Sequence, residues 1–325
     1  MKTLFSPQLL GELHQINGGV ALSTEDFSAD RTQAVRQLNA AGIPAVAVIV
    51  LDQNDGYYVN ADNAPATANR FAEFDKWSTD NGLRWEAVGL DIEPSVKEWS
   101  VINDHKLRFA GMILRKLLES NRQVYRARRA YADLIRQMQS RGYYVQTYQL
   151  PLIANERKAH STVLEKILGL VDVRGDQEVL MLYTSFNPGS GAAIISQYGP
   201  QAQAIAIGST AGGATENGKF SPLSWDEFSR DLIVAHHFSR TIGVYSLEGC
   251  IGRGYIPRLK TIDWNRPVQI PAASIRRAAR VQNVIYCLLW LSRFWLYFAV
   301  LSFLLFAWVV RVTVRRAKRR GALRG

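Results

Sequence analysis

Short apolar runs rich in Val, Ile, Tyr and Ala alternate with segments of helical period over about the first 265 residues, and this alternation constrains the fold most strongly. Strands that alternate with helices predict a parallel sheet covered by helices. The expected strands are Thr3–Phe5, Val20–Ser23, Ala45–Leu51, Ala87–Ile92, Tyr143–Gln149, Val179–Thr184, Ala204–Gly208 and Thr241–Leu247. Eight strands in about 250 residues predict a (β/α)8 barrel rather than an open sheet.

Helical periodicity predicts helices between these strands. They are expected near Pro7–Gln15, Thr32–Ala41, Ala66–Asn81, Asn103–Ser140, Thr162–Leu170, Ala192–Gln197 and Ser224–Phe238. The segment 103–140 is basic and far longer than a normal barrel helix. Two interpretations remain open for it: a basic arm that binds an anionic membrane or wall polymer, or a solvated helix face of extra length.

Charge is distributed unevenly along the chain. It has 39 Lys and Arg against 28 Asp and Glu, yet residues 1–270 carry 28 of each kind, so the positive excess belongs to the C-terminal part. Proteins that bind nucleic acid present a basic face on the folded domain. We therefore expect no nucleic-acid partner.

The C-terminal segment predicts a membrane anchor. Residues 284–310 are apolar apart from Arg293, and seven bases follow them. This pattern predicts a barrel domain over 1–265, a basic linker over 266–283, a transmembrane helix over 284–310 and a basic tail over 311–325. The bias of basic residues toward the cytoplasmic side places the tail in the cytoplasm and the barrel outside it, with the lipid bilayer as a partner.

The strongest candidate for chemistry is a carboxylate pair at the end of the fourth expected strand. Asp91 and Glu93 are two residues apart, so strand alternation puts both side chains on one face. Active sites of such barrels lie at the C-terminal ends of the strands. Two close carboxylates raise the pKa of at least one of them, which predicts Glu93 as a general acid and Asp91 as its modulator. A structural pair or a metal-binding pair is the alternative.

Three short motifs resemble family 18 glycoside hydrolases, the chitinases and endo-β-N-acetylglucosaminidases. Residues 69–94, which end in Gly89-Leu90-Asp91-Ile92-Glu93-Pro94, resemble the segment of the D-x-D-x-E signature. Met181-Leu182-Tyr183-Thr184 resembles the sixth-strand M-x-Y-D, and Gly243-Val244-Tyr245-Ser246 resembles the eighth-strand G-V-x-x-W. The chain departs from the family at Glu86, Gly89, Thr184 and Tyr245 or Ser246, which indicates a diverged branch. Family 25 lysozymes carry a similar D-x-E on a barrel strand.

The resemblance implies a membrane-anchored glycosidase that cleaves N-acetylated glycans with retention of configuration. Glu93 would protonate the glycosidic oxygen while the substrate's own acetamide, held by Asp91 and Tyr183, attacks the anomeric carbon. The residues expected to bind the polysaccharide are Tyr148, Gln149, Tyr245, Glu248 and Asp52, with Trp99 as a further stacking platform. For a substrate without an acetamide, the second carboxylate would be Asp52, Glu216 or Glu248.

No metal and no cofactor are expected, because the five histidines show no ligand spacing near a strand end. A function of another class also remains open. The chain would then be a non-catalytic, membrane-tethered barrel that binds a glycan or a protein. Gly89 and Thr184, which stand where the family has Asp, favour this alternative, whereas Asp91, Glu93 and Tyr183 favour the enzyme.

Overall fold

The computed structural model describes residues 5–186, 190–211 and 221–322. Seven strands form one parallel sheet in chain order. They are β1 (Val20–Ser23), β2 (Ala45–Ile49), β3 (Ala87–Ile92), β4 (Val145–Gln149), β5 (Gln177–Met181), β6 (Ala204–Gly208) and β7 (Ile242–Tyr245). Each strand pairs in parallel with the next, and β1 and β7 are not paired with each other in the described chain. The sheet is therefore an open, barrel-like α/β sheet.

Helices follow the strands, and those of the main domain pack against one face of the sheet. They are α1 (Pro7–Gln15), α2 (Ala29–Ala40), α3 (Ala64–Asp80), α4 (Val96–Asp104), α5 (Lys106–Leu118), α6 (Arg122–Ser140), α7 (Leu152–Ala159), α8 (Val163–Leu168), α9 (Gly191–Tyr198), α10 (Trp225–His236), α11 (Leu247–Gly252), α12 (Ile256–Leu259), α13 (Ala272–Ser292) and α14 (Trp295–Ala322). Local caps start several of them. Ser6 and Ser28 accept from backbone N–H groups at the starts of α1 and α2, and Ser224 with Glu227 forms a capping box at α10.

The two faces of the sheet have different contents because side chains alternate along each strand. The outer face, with residues such as Ala47, Ile49 and Leu90, belongs to the large core between sheet and helices. The inner face holds a small apolar cluster. Its members are Val179, Met181, Ala204 and Ala206, with Tyr148 and Tyr183 packed against them. Besides this apolar cluster, the inner face carries polar and aromatic groups at the C-terminal ends of the strands.

The structure corrects the expected fold class in two ways. It has seven strands in the described residues instead of eight, and the expected strand Thr3–Phe5 lies outside them except for Phe5, which is buried in the core. The single long helix expected over 103–140 is also wrong, because the chain breaks at His105 and again at residues 119–121 between α4, α5 and α6. One face of α6 is buried against the domain, so its length serves packing.

The expected transmembrane helix over 284–310 is wrong. Among the helices that the structure describes, none is long and apolar enough to cross a membrane. The apolar residues are divided between α13 and α14, which are separated at Arg293 and Phe294, and α13 packs against α7 and α9. The same finding contradicts the expected single-pass placement, with the barrel outside the cytoplasm and the tail inside, and removes the bilayer as a supported partner.

Candidate active site

Asp91 and Glu93 lie at the C-terminal end of β3 with both side chains toward the inner face. The segment that follows β2 runs beside them and extends the sheet by one bridge. Val59 N–H donates to the Asp91 carbonyl at 2.9 Å, and Glu93 N–H donates to the Val59 carbonyl at 3.1 Å. These bonds hold the backbone of both carboxyl residues at the open end of the sheet.

Burial perturbs both carboxyl groups. The Oδ1 atom of Asp91 is buried and accepts no hydrogen bond within the described structure. Burial raises the pKa of Asp91 to about 7. Burial, followed by the neighbouring Asp91 charge, raises the pKa of Glu93 well above its usual range. Since a shielded carboxyl favours its neutral form, the pair retains a proton near neutral pH.

Trp99 orients the Glu93 carboxyl. The indole lies on α4, six residues after Glu93, and its Nε1 donates to Glu93 Oε2 at 3.1 Å. This hydrogen bond lowers the pKa of Glu93, against the larger effect of burial. The role of Trp99 as a stacking platform for sugars stays a prediction, and its polar edge faces the candidate acid.

Tyr148 and Gly89 fit together beside Asp91. Tyr148 on β4 is in register with Asp91 on β3, and its hydroxyl donates to Gln146 Oε1 at 2.9 Å. A Cβ atom at position 89 would lie 2.7 Å from the Tyr148 ring. The absence of a side chain at Gly89 therefore leaves room for the Tyr148 ring over β3. Burial and the nearby Asp91 charge raise the pKa of the Tyr148 hydroxyl.

Tyr183 and Tyr245 lie side by side across the inner face from β3. Their ring centroids are 5.7 Å apart with an interplanar angle of 37°. Burial raises the pKa of Tyr183 well above its usual value, and the charges of Asp91 and Glu93 act in the same direction. The structure therefore brings four expected residues, Asp91, Glu93, Tyr148 and Tyr183, into one group, with Tyr245 at its edge.

Two tyrosines of the site are absent from the sequence-based expectation. Tyr57 and Tyr58 lie in the loop between β2 and α3, and their rings meet edge to face at 5.0 Å. Burial raises the pKa of both hydroxyls, to which the nearby charge of Asp91 also contributes. The available signal was their position directly after an expected strand, where active-site loops of barrels lie.

Tyr57 adopts a left-handed backbone conformation with φ of 62°. This conformation costs a residue with a Cβ about 1–2 kcal/mol. Local bonds hold it, because Tyr57 N–H donates to the Asp52 carbonyl at 3.2 Å and the Tyr57 carbonyl accepts from Leu51 N–H at 2.8 Å. Its hydroxyl donates to Glu25 Oε1 at 2.7 Å. The strained loop thus directs the phenol toward a carboxylate that follows β1.

Three other expected residues have different surroundings in the described structure. Gln149 is buried on the opposite face of β4, where its amide donates to the carbonyls of Val171 and Val173. Asp52 caps a short turn by accepting from Asn54, and Glu248 is exposed in the first turn of α11. Glu216 lies outside the described residues.

Thr184, which follows β5, bonds to a helix residue. Its hydroxyl donates to the buried Asp231 on α10, so the side chain faces the helices rather than the inner face. Within residues 5–186, 190–211 and 221–322, the structure has no cluster of three or more His, Cys, Asp and Glu side chains that could hold a metal ion. The group is an acid pair surrounded by tyrosines.

Comparisons with known proteins give distant similarities. No protein-family model matches the chain, and no curated protein matches it. The structure is similar to the glycoside hydrolase domain of PgaB (BpsB) from Bordetella bronchiseptica, with 9% identity, a TM-score of 0.46, and coverage of 80% of this chain and 95% of that one. A xylose isomerase domain protein from Planctomyces limnophilus has 15% identity, a TM-score of 0.43 and coverage of 78% and 90%.

A family 1 β-glucosidase from Thermotoga maritima has 11% identity to the chain and a TM-score of 0.41, with coverage of 74% of this chain and 77% of that one. None of these three similarities supports membership of family 18 specifically. At such identities and TM-scores they assign neither a family nor a reaction.

Proposed function

We propose that this protein hydrolyses glycosidic bonds, with Glu93 as the general acid. The observation that supports this function best is the Asp91–Glu93 pair at the open end of a parallel sheet, where burial raises the pKa of both groups. A carboxylic acid that keeps its proton near neutral pH can donate it to a leaving oxygen. The Trp99 indole holds Glu93 in one orientation for this transfer.

Glu93 gives its proton to the glycosidic oxygen as the bond from that oxygen to the anomeric carbon breaks. Positive charge then develops on the sugar ring, and a carboxylate beside the ring stabilises it. Asp91 is the carboxylate closest in sequence and is electrostatically linked to Glu93. Because the pKa of Glu93 is raised well above its usual range and the pKa of Asp91 to about 7, Glu93 serves as the acid and Asp91, once ionised, as the stabilising charge.

The substrate class that we propose is a polysaccharide or other glycan. Four tyrosines, Tyr57, Tyr58, Tyr148 and Tyr183, are electrostatically close to Asp91. Aromatic rings offer apolar faces to sugar rings, and their hydroxyls offer hydrogen bonds. An N-acetylated glycan is the finer proposal. Its acetamide would be held by Asp91 and Tyr183 and would attack the anomeric carbon, which gives retention of configuration.

A non-catalytic glycan-binding barrel is the second candidate. The observation in its favour is Thr184, whose hydroxyl bonds to Asp231 on α10 and so does not join the Asp91–Glu93 group. A binder would use the same tyrosines but would need no acid. Hydrolysis therefore separates the two functions.

The test compares the full chain with its Glu93→Gln variant on chromogenic N-acetylglucosaminides and on peptidoglycan. Gln keeps the size of the side chain and can accept from Trp99, but it has no acidic proton. Loss of a general acid lowers the rate by about 10² to 10⁴. We expect a loss of this size with little change in glycan affinity, and a smaller loss on substrates with good leaving groups.

Glu86→Gln is the matched control, because Glu86 is exposed just before the other end of β3 and should leave the rate unchanged. Equal hydrolysis by the wild type and Glu93→Gln would exclude Glu93 as the acid. Binding without any hydrolysis in the wild type would favour the non-catalytic barrel.

A further inference from the structure

Glu25 and Tyr57 form a hydrogen-bonded pair that the Asp91–Glu93 chemistry has not used. Glu25 follows β1, whereas Tyr57 lies in the loop after β2, so two separate C-terminal strand ends contribute to the pair. The Tyr57 hydroxyl donates to Glu25 Oε1 at 2.7 Å. Glu25 is exposed to solvent and Tyr57 is half-buried. The pair therefore connects water at the rim with the interior of the site.

The phenol of Tyr57 is linked to the acid pair through Tyr58. Burial and the hydrogen bond to Glu25 raise the pKa of the Tyr57 hydroxyl, and the charges of Tyr245 and Asp91 act in the same direction. The Tyr57 ring contacts the Tyr58 ring edge to face at 5.0 Å. Burial, followed by the charges of Glu93 and Asp91, raises the pKa of the Tyr58 hydroxyl.

We propose that Glu25, acting through the Tyr57 hydroxyl, is the base that activates the attacking water when the glycan carries no acetamide, so that the glycosidic bonds of such glycans are hydrolysed in one step with inversion of configuration. This inference rests on the proposed function, since it needs Glu93 as the acid. It supplies the second carboxylate that a substrate without an acetamide requires. Of the described alternatives, the Asp52 carboxylate caps the turn that follows it, and Glu248 lies in the first turn of α11.

The step balances in protons and electron pairs. An oxygen lone pair of water forms the new bond to the anomeric carbon. The water proton passes to the Tyr57 oxygen while the Tyr57 proton passes to Glu25 Oε1. On the opposite side, the glycosidic bond breaks and its electron pair takes the Glu93 proton. The products are a sugar hemiacetal of inverted configuration and an alcohol. The phenol never carries a lasting negative charge, because both of its proton transfers are concerted.

Different environments suit the two carboxyl groups to these opposite roles. The Glu93 carboxyl is shielded and bonded to an indole N–H, whereas the Glu25 carboxyl faces solvent and accepts from a phenol. Pairs of carboxyl groups whose surroundings differ in this way divide into acid and base. A base that acts through an interposed phenol also leaves room for a water molecule, which inverting hydrolysis needs.

The first experiment measures kcat and KM of full-length Glu25→Gln, Tyr57→Phe and the double variant. If both residues act in one proton path, each single change lowers kcat by about 10² to 10⁴ with little change in KM, and the double variant loses no more than one single variant. Glu12→Gln on α1 and Tyr125→Phe, an exposed tyrosine on α6, are the controls and should keep wild-type kcat. Unchanged kcat in Glu25→Gln or in Tyr57→Phe would overturn the proposal.

The second experiment uses azide and product stereochemistry. Azide attacks without a base, so it should restore turnover of an aryl glycoside in Glu25→Ala and yield a glycosyl azide of inverted configuration. The wild-type product from a glycoside without an acetamide, followed by NMR immediately after cleavage, should also be inverted. Retention with that substrate would overturn the inference.

The two proposals fail in different ways. Full activity in Glu93→Gln would remove the acid and with it the proposed function. An inactive Glu93→Gln beside fully active Glu25→Gln and Tyr57→Phe would overturn only the base. Circular dichroism of each variant separates loss of folding from loss of chemistry, and azide rescue of Glu25→Ala requires a folded site.

Discussion

A buried carboxyl with an oxygen that accepts no hydrogen bond destabilises a folded chain, and Asp91 is such a residue. Burial raises its pKa to about 7 from 3.8. The folded protein thus holds a proton that the unfolded chain releases, so stability from this group is greatest below about pH 4 and falls as pH rises to about 7. This unfavourable burial of a carboxyl is consistent with a functional role, because groups with strongly shifted pKa values are concentrated in active sites.

Asp91→Asn should therefore stabilise the protein in a pH-dependent way. Asn is neutral at every pH, so the variant lacks the penalty of ionising a buried carboxyl. We expect its free energy of unfolding to exceed that of the wild type by up to about 4 kcal/mol at pH 8 and by little at pH 4. Denaturant titrations of both proteins at the two pH values measure this. An equal gain in the free energy of unfolding at pH 4 and at pH 8 would show that the Asp91 carboxyl ionises normally in the folded protein.

Gly89 is a second residue at which the structure restricts substitution. A Cβ there meets the Tyr148 ring at 2.7 Å, so Gly89→Ala should displace the ring, weaken glycan binding and cost about 1–3 kcal/mol of stability. Gly243→Ala on β7 is the matched control, since its Cβ would meet its nearest neighbour at an ordinary 3.5 Å. Thermal melts and glycan titrations should separate the two variants. Equal effects would contradict the packing argument.

At the scale of elements, the loop between β2 and α3 depends on a buried polar network. The hydroxyl of Tyr131 on α6 contacts the Asn60 carbonyl at 2.8 Å, Asn63 Oδ1 at 3.0 Å and Thr67 Oγ1 at 3.1 Å. Tyr131 itself is fully buried. The network satisfies polar groups of the loop that presents Tyr57 and Tyr58, and thereby couples an outer helix to the site.

Tyr131→Phe should loosen this loop without removing a residue of the site. Unsatisfied buried polar groups cost about 1–3 kcal/mol. We expect a lower melting temperature and a lower kcat, because the positions of Tyr57 and Tyr58 become less defined. Tyr125→Phe, on the exposed face of the same helix, should change neither quantity. Normal kcat in a destabilised Tyr131→Phe would limit the network to a structural role.

At the scale of the whole molecule, α13 contributes to the stability of the barrel-like domain. Its Leu289 is buried, and the Lys158 ammonium of α7 lies 5.0 Å from the centre of the Tyr286 ring. Gln197 of α9 donates to Gln282. The expected domain boundary at residue 265 remains a prediction, and these contacts suggest how it can be tested.

Leu289→Ala should destabilise the domain by about 2 kcal/mol, because it leaves a cavity between α13 and its neighbours. Leu288→Ala is the control, since Leu288 is exposed and should change stability little. Chemical denaturation of both variants measures the difference. A chain that ends at residue 265 should likewise melt at a lower temperature than one that ends at residue 293. Equal melting temperatures would support the boundary at 265.

Local sequence patterns determined most elements of this protein. Strands β1, β3 and β6 and helix α1 have the expected bounds, because alternation and helical period are properties of neighbouring residues. The spacing of Asp91 and Glu93 likewise placed both on one face. Alternation also separates Tyr148 from Gln149, since adjacent strand residues face opposite sides of a sheet.

Tertiary structure alone decided the rest. Glu25 and Tyr57 are 32 residues apart, and only the parallel arrangement of β1 and β2 brings their loops together. In the sequence, the apolar C-terminal segment predicts one transmembrane helix. In the structure, the helix is interrupted at Arg293, and α13 packs on α7 and α9. The hydrophobicity of a side chain indicates that it avoids water. Which surface covers that side chain depends on packing with distant parts of the chain.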